Sequence, residues 1–233
     1  MNAPRQIRQH RFQPAEGACE ILFVRHGESA PYVEGQPFAL VGGHADPPLH
    51  PDGRVQAQQV ADRLVATGER IAAIYVTNLT RTHETAAPLA ERLGLELRVE
   101  PDLREVFLGE WEGGLLRKHV LDGDPIATLM YAEERWDVIP GAEPLEEFDS
   151  RIRAGVARIV ATHPNELVVA VVHGGVIGQI MNIAAGTTGF RFTGADNASI
   201  HHVVVDGDRW IIRCFNDTSH LSPRFSTAPE PMT

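Results

Sequence analysis

Three short apolar runs, each followed at once by polar residues, give the chain its main pattern. They occupy residues 21–24, 71–76 and 167–172, and they are rich in valine, isoleucine and other bulky apolar residues. Runs of this length and composition are typical of strands that are buried on both faces.

Between and after these runs, apolar residues recur at helical spacing. Such segments lie over residues 51–66, before Gly94, over about 144–160 and over about 177–184. Strands that alternate with helices predict an α/β fold with a mostly parallel sheet. We therefore expect a three-layer sandwich in which the central sheet carries helices on both faces.

Shorter patterns predict the remaining strands. Residues 199–205 and 209–215 alternate apolar and polar positions around Asp206-Gly207, which is a strong signal for a hairpin. Residues 95–99 also alternate and predict a short strand.

The other segments set the expected boundaries of the domain. Residues 30–50 are rich in glycine, proline and histidine and predict a long loop, while 107–140 predict short helices inserted over the sheet as a lid. A single domain is expected over 18–221. Residues 1–17 and 222–233 have little apolar content and are expected to be disordered tails.

The composition limits the classes of partner. The net charge of the 233 residues is −10, from 21 basic and 31 acidic side chains. This balance argues against nucleic-acid binding, which needs basic residues to displace counterions. The apolar runs are far shorter than the roughly 18 residues of a membrane span, so no membrane partner is expected. Cys19 and Cys214 make no disulfide framework, so both are expected to be reduced and the chain to be cytoplasmic.

Each of the three buried runs is followed by residues suited to binding a phosphate. Because the carboxyl ends of parallel strands meet at one edge of a sheet, we expect these residues to lie together. Arginine offers a planar fork of donors that matches phosphate oxygens, and glycine lets backbone N–H groups approach an anion. The residues are Arg25, His26 and Gly27 after the first run, Arg81 after the second, and His173 and Gly174 after the third.

A pocket with two arginines and two histidines is suited to phosphoryl transfer, which depends on positioning and on stabilising charge on the equatorial oxygens. One histidine is the expected nucleophile. Its ordinary pKa is about 6.5, and neighbouring arginines disfavour its protonated form. The other histidine can donate to a non-bridging oxygen. A departing alkoxide needs a proton, for which Glu105 is the best candidate and Glu28 the competitor.

Further motifs occur in a fixed order along the chain. They are RHGES at 25–29, DPPL at 46–49 followed by Gly53 and Gln56-Ala57, NLTRT at 78–82 followed by Thr85-Ala86, LRE at 103–105, GEWEG at 109–113, HGG at 173–175 and NAS at 197–199. With these motifs the chain resembles the histidine phosphatase superfamily, the group that includes cofactor-dependent phosphoglycerate mutases. The resemblance extends over about residues 20–221.

The resemblance implies a fold of the phosphoglycerate mutase type and a role for each residue. His26 is expected to form a phosphohistidine, and Glu105 is expected to donate and later accept a proton. The phosphoryl group is expected to be bound by Arg25, Arg81 and His173. Further substrate contacts are expected from Gly27, Ser29, Gly174 and Asn197.

The sequence departs from the family pattern at two places. Tyr32 stands where many relatives carry a phosphate-binding asparagine, so the rim of the pocket is expected to differ. Residues 141–144 read Gly-Ala-Glu-Pro in place of the usual Gly-Gly-Glu-Ser, which leaves open how the following helix is capped.

The favoured function is a metal-independent phosphomonoester hydrolase that acts on a small phosphorylated metabolite without a cofactor. The remaining histidines show no ligand spacing such as H-E-x-x-H, so no metal site is expected. Substrate specificity is expected to lie in residues 30–50 and 107–140. A homodimer is left open.

Three alternatives remain. A mutase-type phosphotransferase uses the same residues, but such relatives cover the site with an extended C-terminal segment, for which only residues 222–233 remain here. A non-catalytic binding module on the same fold is disfavoured because His26 and Glu105 are both present. A metal-dependent hydrolase is the third alternative, and a chelator would test it.

Overall fold

The computed structural model describes residues 8–222. Over this range the chain forms a six-stranded sheet, a separate two-stranded sheet and six α-helices. The strands are β1 (Cys19–Arg25), β2 (Leu40–Val41), β3 (His44–Ala45), β4 (Ile71–Val76), β5 (Leu97–Val99), β6 (Leu167–Val172), β7 (Ile200–Asp206) and β8 (Arg209–Asp217). The helices are α1 (Pro51–Ala66), α2 (Thr80–Leu93), α3 (Leu115–Leu121), α4 (Pro125–Glu133), α5 (Leu145–Thr162) and α6 (Gly174–Ala185).

The main sheet has the strand order β5-β4-β6-β1-β7-β8. The first four strands in this order are parallel, whereas β7 pairs antiparallel with β1 and β8 pairs antiparallel with β7. The predicted α/β fold and the predicted hairpin are both confirmed. Because β4, β6 and β1 are parallel neighbours, their carboxyl ends open onto the same edge of the sheet.

The central strands bury both of their faces. In β1, Ile21 and Phe23 pack with α5 and α6, whereas Leu22 and Val24 pack with α1 and α2 on the other side. This division arises because successive side chains of a strand point to opposite faces. Truncating a core residue such as Phe23 to alanine is expected to cost about 3–5 kcal/mol. The predicted layers of helix, sheet and helix are therefore present.

Residues 107–140, here called the cap, have a small hydrophobic core of their own. The cap contains α3 and α4, so the short helices predicted for this segment are present. Its core is formed by Trp111, Ala127, Met130 and Ile139.

The cap packs closely against residues 30–50. The N–H of Phe38 donates to the carbonyl of Gly113 at 3.0 Å. A Cβ on Gly114 would lie 2.7 Å from the Tyr32 ring and 2.8 Å from the Phe38 ring, and the φ angle of Gly114 is +97°. Only glycine fits this contact without strain. The two segments in which specificity was predicted are thus in direct contact.

Residues 30–50, which were predicted to be a long loop, also contain short strands. They contain the antiparallel pair β2 and β3. Each strand has two residues, which is too short to show an alternating pattern. The N–H of Ala45 in β3 donates to Glu112 Oε2 of the cap at 2.7 Å, so this hairpin is also tied to the cap.

The departure at residues 141–144 leaves the N-cap residue of α5 without a capping side chain, because the ring of Pro144 has no acceptor atom. Glu146 and Glu147 place negative charge in that turn instead. The helix dipole favours negative charge at this end, so α5 keeps a stabilised start.

The predicted tails are only partly described. Residues 8–17 contain no helix or strand, and the guanidinium carbon of Arg213 lies 3.9 Å from the centroid of the Phe12 ring. Residues 1–7 and 223–233 lie outside the described residues, so disorder of the tails stays a prediction. Among the described residues, no helix combines the length and apolar character that crossing a bilayer requires.

Candidate active site

The carboxyl ends of β1, β6 and β4 bring together the residues that were predicted to bind phosphate. His26 follows β1, His173 follows β6, and Arg81 lies in the first turn of α2 after β4. The centroids of the two histidine rings are 5.2 Å apart, and Arg81 Nε lies 3.2 Å from His26 Nε2. These three side chains therefore form one cluster at the sheet edge.

Hydrogen bonds select one tautomer of His26. Its Nδ1 lies 2.7 Å from the carbonyl of Gly27, which can only accept, so Nδ1 carries the proton. Arg81 Nε can only donate, so Nε2 presents its lone pair to it. Nε2 is therefore the atom through which His26 can act as a nucleophile.

Burial and positive charge keep His26 neutral. The residue is 6% exposed. Its pKa lies well below 6.5, first because of burial and then because of the charges of Arg81, Arg25 and, more weakly, Arg117. The effect of neighbouring arginines was expected from the sequence, but Arg117 was not singled out. A neutral imidazole keeps its lone pair available at neutral pH.

The second histidine, His173, is oriented by Thr77. His173 Nε2 lies 3.0 Å from Thr77 Oγ1, while its Nδ1 is buried and has no hydrogen-bond partner among the described residues. Thr77 Oγ1 also lies 3.2 Å from Thr82 Oγ1, and the Thr82 hydroxyl itself donates to the carbonyl of Leu79 at 2.8 Å. When Thr77 donates to Nε2, Nδ1 carries the proton and is a free donor for an anionic oxygen.

Arg25 offers a second free donor at the same edge. Its Nη1 donates to the carbonyl of Ala195 at 2.6 Å, whereas its Nε is buried and lacks a partner within the described part of the chain. A Cβ on Gly174 would lie 3.4 Å from this Nε, so the first residue of α6 lies beside the guanidinium. The N-terminus of a helix favours anions, which makes this corner suited to a phosphoryl oxygen.

Arg81 is held from the side of β3. Its Nη1 donates to the carbonyl of Ala45 at 2.9 Å and lies 4.0 Å from Asp46 Oδ1. Burial lowers the pKa of Arg81 to about 10, which still leaves the guanidinium charged at neutral pH. The hairpin that the sequence did not predict therefore fixes a phosphate-binding candidate.

Glu105 reaches the same edge from the segment after β5. Its Oε2 accepts the N–H of Gly175 at 3.2 Å, and its Oε1 accepts the N–H of Val106 at 2.9 Å. Burial lowers the pKa of Arg25 and of Arg81, and the negative charge of Glu105 is the largest of the charges that raise these two pKa values. The carboxylate thus lies beside the first turn of α6 and near both guanidinium groups.

Glu28, the competing acid, lies in a different group. It lies near His50 and Asp52, and one potential metal-ligand atom from each of the three residues lies within 4.8 Å of the other two. Among the described residues, this is the group that could hold a metal ion. However, His50 Nδ1 accepts the N–H of Asp52 at 3.3 Å, and the positive end of α1 disfavours a cation here. The choice of Glu105 over Glu28 as the acid stays a prediction.

Arg151 of α5 fixes the backbone that carries Glu105, and the sequence analysis missed it. Its Nη2 donates to the carbonyl of Glu105 at 2.9 Å. Its Nη1 donates to the carbonyls of Asp102 and Arg104, both at 2.7 Å. Glu143 pairs with Arg151 Nε at 2.6 Å, and both side chains are only 11% exposed. No local pattern reveals such a contact, because the partners are distant in sequence.

Two of the predicted substrate contacts are engaged with protein groups. The N–H of Gly27 donates to Thr85 Oγ1 at 3.0 Å, and a Cβ at this position would lie 2.4 Å from the carbonyl oxygen of Gly53. Close packing against α1 therefore requires the glycine. Asn197 Nδ2 donates to the carbonyl of His26 at 3.0 Å. Both residues fix the backbone around the nucleophile, and their contact with substrate stays a prediction.

Ser29, a third predicted contact, is bound by an arginine of the cap. Arg117 Nη2 donates to Ser29 Oγ at 2.7 Å, and Nη1 donates to the carbonyl of Ala30 at 2.8 Å. Arg117 lies in a segment of mixed pattern with no strand end or motif beside it, so the sequence gave no reason to select it. The contact brings a further positive charge from the cap to the site.

Fold and site together define a class of protein. A parallel sheet edge carries a neutral histidine whose Nε2 lone pair faces Arg81, a second histidine, two arginines and a glutamate, which suits transfer of a phosphoryl group to histidine. The sequence model of the histidine phosphatase superfamily (branch 1) matches residues 21–218, and the chain belongs to that superfamily.

Individual relatives agree with this assignment. The chain is 36% identical over 207 residues to phosphoglycerate mutase-like protein 4 of Arabidopsis thaliana, a match that covers 87% of both chains. It is 31% identical to a metal-independent phosphoserine phosphatase of the same plant, over 87% of this chain and 83% of the relative. The solved structure of a mycobacterial glucosyl-3-phosphoglycerate phosphatase superimposes with a TM-score of 0.71 at 29% identity, covering 86% of this chain and 100% of that one.

Proposed function

We propose that the protein is a phosphomonoester hydrolase that acts on a small phosphorylated metabolite through a phosphohistidine at His26. One observation carries the proposal: the lone pair of a buried, neutral His26 lies 3.2 Å from the guanidinium of Arg81. Relatives described as a metal-independent phosphoserine phosphatase and a glucosyl-3-phosphoglycerate phosphatase support hydrolysis as the reaction.

In the first half of the reaction, His26 Nε2 attacks the phosphorus atom of the monoester. A P–N bond forms, and the P–O bond to the alcohol breaks with its electron pair going to the alcohol oxygen. Glu105 gives this oxygen a proton. Charge spread over the non-bridging oxygens is stabilised by the guanidinium groups of Arg25 and Arg81 and by His173 Nδ1–H.

In the second half, a water molecule attacks the phosphorus atom of the phosphohistidine. An O–P bond forms, and the P–N bond breaks with its electron pair returning to His26 Nε2. Glu105, now a carboxylate, takes a proton from the water and returns to its starting form. The products are the alcohol and inorganic phosphate. Each preorganised donor is expected to contribute about 3–4 kcal/mol to transition-state stabilisation.

A mutase-type phosphotransferase is the alternative that the relatives keep open, since one of them is described as phosphoglycerate mutase-like. It would share the first half of the reaction and then pass the phosphoryl group to a second alcohol instead of water. The fate of the phosphoryl group therefore separates the two functions.

The test is to incubate the protein with a panel of phosphorylated metabolites and to measure both inorganic phosphate and phosphoryl transfer to added alcohols. We expect phosphate to be the main product and its release to be insensitive to a chelator. We also expect His26→Ala to abolish the release. Predominant transfer to an alcohol would make the protein a transferase, and phosphate release that survives His26→Ala would overturn the proposal.

A further inference from the structure

The backbone carbonyl that holds Arg25 lies in a segment without regular secondary structure. Arg25 Nη1 donates to the carbonyl of Ala195 at 2.6 Å, while Arg25 Nε has no partner among the described residues. Residues 187–199, between α6 and β7, contain no helix or strand, so no sheet ladder fixes the position of that carbonyl. Ala195 is nevertheless buried. Other contacts must therefore hold this segment in place.

Residues 195–199, here called the clamp, also bind the backbone at the end of β1. The N–H of Ala198 donates to the carbonyls of Arg25 at 3.0 Å and of His26 at 3.3 Å, and the N–H of Arg25 donates to the carbonyl of Ser199 at 3.1 Å. The φ angle of Ala198 is +57°, which is uncommon for a residue other than glycine. A backbone in such a conformation persists only where its surroundings support it.

His201, in the first turn of chain after the clamp, supplies buried support. Its Nδ1 accepts the N–H of Asn216 at 3.1 Å, so the proton of the neutral ring lies on Nε2. This Nε2 donates to Ser199 Oγ at 2.8 Å, and the Ser199 hydroxyl donates to the carbonyl of Asp196 at 2.6 Å. A backbone N–H at one end and a carbonyl at the other therefore fix the direction of every hydrogen bond in this chain.

The buried position of this chain is costly for a histidine. His201 and Ser199 are both fully buried. Burial, and then the charge of Arg25, lower the pKa of His201 to about 3. The ring is therefore neutral and lies near that guanidinium. An apolar side chain would fill the same place without desolvating two ring nitrogens. What the histidine adds is an ordered hydrogen bond to the residue next to the acceptor of Arg25.

A second and more exposed contact holds the same residue of the clamp. The N–H of Asp196 donates to Asn216 Oδ1, and Asn216 Nδ2 donates to Asp196 Oδ2, both at 2.8 Å. Burial lowers the pKa of Arg25, whereas the charges of Glu105 and then of Asp196 raise it. Asp196 is thus fixed from two sides, and its carboxylate favours the charged form of Arg25.

We propose that His201 is a positioning residue: through Ser199 it fixes the clamp, and the clamp orients Arg25 Nε toward the phosphoryl group. This inference rests on the proposed function, in which Arg25 binds that group. The five N–H groups of a guanidinium lie in one rigid plane, so a shift of the acceptor at Nη1 also misdirects Nε. Free phosphate has the same oxygens as the ester, so its binding should weaken together with turnover.

Ser199→Ala tests the proposal because it removes the hydroxyl and keeps the backbone hydrogen bonds of the clamp. Since displacing a positioned group by about 1 Å can cost about 10²-fold, we expect kcat/KM for p-nitrophenyl phosphate to fall by about tenfold or more. The Kd of inorganic phosphate, measured by calorimetry, should rise by about fivefold or more, because hydrogen bonds to charged groups are the stronger ones.

Substitutions of the ring provide a second, independent variant and a rescue. His201→Phe keeps a ring but no ring nitrogen, and it should show the same losses as Ser199→Ala. His201→Gln retains an N–H that can donate to Ser199 and should recover most of the activity. Tyr75→Phe is the matched control, since it removes another buried hydroxyl that lies 3.1 Å from a histidine nitrogen, Nε2 of His163. It should leave kcat/KM and phosphate binding unchanged.

A double-mutant cycle separates action through Arg25 from a general loss of structure. In the Arg25→Gln protein, Ser199→Ala should change phosphate binding by less than about twofold, because the donor that it positions is already absent. The same loss in both backgrounds would overturn the inference. It would also be overturned if Ser199→Ala and His201→Phe both behaved like wild type, or if His201→Gln were as impaired as His201→Phe.

Phosphate binding also keeps this inference distinct from the proposed function. If the wild-type protein hydrolysed no monoester, but Ser199→Ala weakened phosphate binding only when Arg25 is present, the proposed function would fail and the positioning role of His201 would stand. If the wild-type protein hydrolysed monoesters and the losses were additive, the positioning role would fail and the proposed function would stand.

Discussion

The contact between Thr77 and His173 makes a sharp prediction about proton placement. Thr77→Val keeps the shape of the side chain but removes the hydroxyl that lies 3.0 Å from His173 Nε2. Without that donor, the ring can place its proton on Nε2 and turn the lone pair of Nδ1 toward the phosphoryl oxygens. The site then loses one preorganised donor and gains a repulsive contact.

The expected size follows from the loss of one such donor. Removing a single donor to a developing anion costs about 3–4 kcal/mol, so kcat/KM should fall by about 10²–10³. The variant should also be less stable, by about 1–3 kcal/mol, because the N–H of Leu79 donates to Thr77 Oγ1 at 3.3 Å and would lose its acceptor.

Two measurements separate the role in proton placement from mere packing. Thr77→Ser retains the hydroxyl and should recover most of the activity, and the ¹⁵N shifts of His173 should report a protonated Nδ1 in wild type and serine variant but not in the valine variant. A valine variant that keeps kcat/KM within threefold, or a serine variant as impaired as the valine one, would refute the reasoning.

Other predictions concern the acid and the buried histidines. Glu105→Gln should reduce hydrolysis of an alkyl phosphate by about 10²–10⁴ and of p-nitrophenyl phosphate far less, because phenolate leaves without a proton. If Glu105→Gln lost equal activity on the two esters, and Glu28→Gln lost activity mainly on the alkyl phosphate, the acid would be Glu28. His201 is fully buried, and burial lowers its pKa to about 3. Between that value and about 6.5 only the unfolded chain binds this proton, so folding stability falls with acid by about 1.4 kcal/mol per pH unit. The free energy of unfolding, measured with urea at pH 6 and at pH 5, should differ less between the two pH values in His201→Gln than in the wild-type protein. An equal difference in both proteins would contradict the lowered pKa of His201.

Local patterns were sufficient to predict the sheet and the core of the site. Buried strands appear as continuous apolar runs, and polar residues directly after them must lie at the carboxyl edge of a parallel sheet. His26, Arg81 and His173 therefore could be grouped before any coordinates existed. Glu105 could be proposed only from the need for an acid and from family resemblance, because it follows no central strand.

The supporting residues could not be predicted, since their partners are remote in sequence. Arg151 meets the carbonyl of Glu105 across 46 positions, and Arg117 meets Ser29 across 88. The short strands β2 and β3 have no readable period, although their backbone holds Arg81. Gly27 was interpreted as a means of approach for an anion, but the structure shows that close packing against Gly53 also demands it.

The central claim is that a phosphoryl group passes through His26 Nε2, and a rapid-quench experiment tests it most directly. The protein is mixed with a ³²P-labelled monoester, quenched without acid within the first turnover, and digested for peptide mapping. The account predicts a base-stable, acid-labile label on the peptide that contains His26, and no label in His26→Asn. Label on a serine, on an aspartate or on His173, or turnover without any labelled protein, would contradict it.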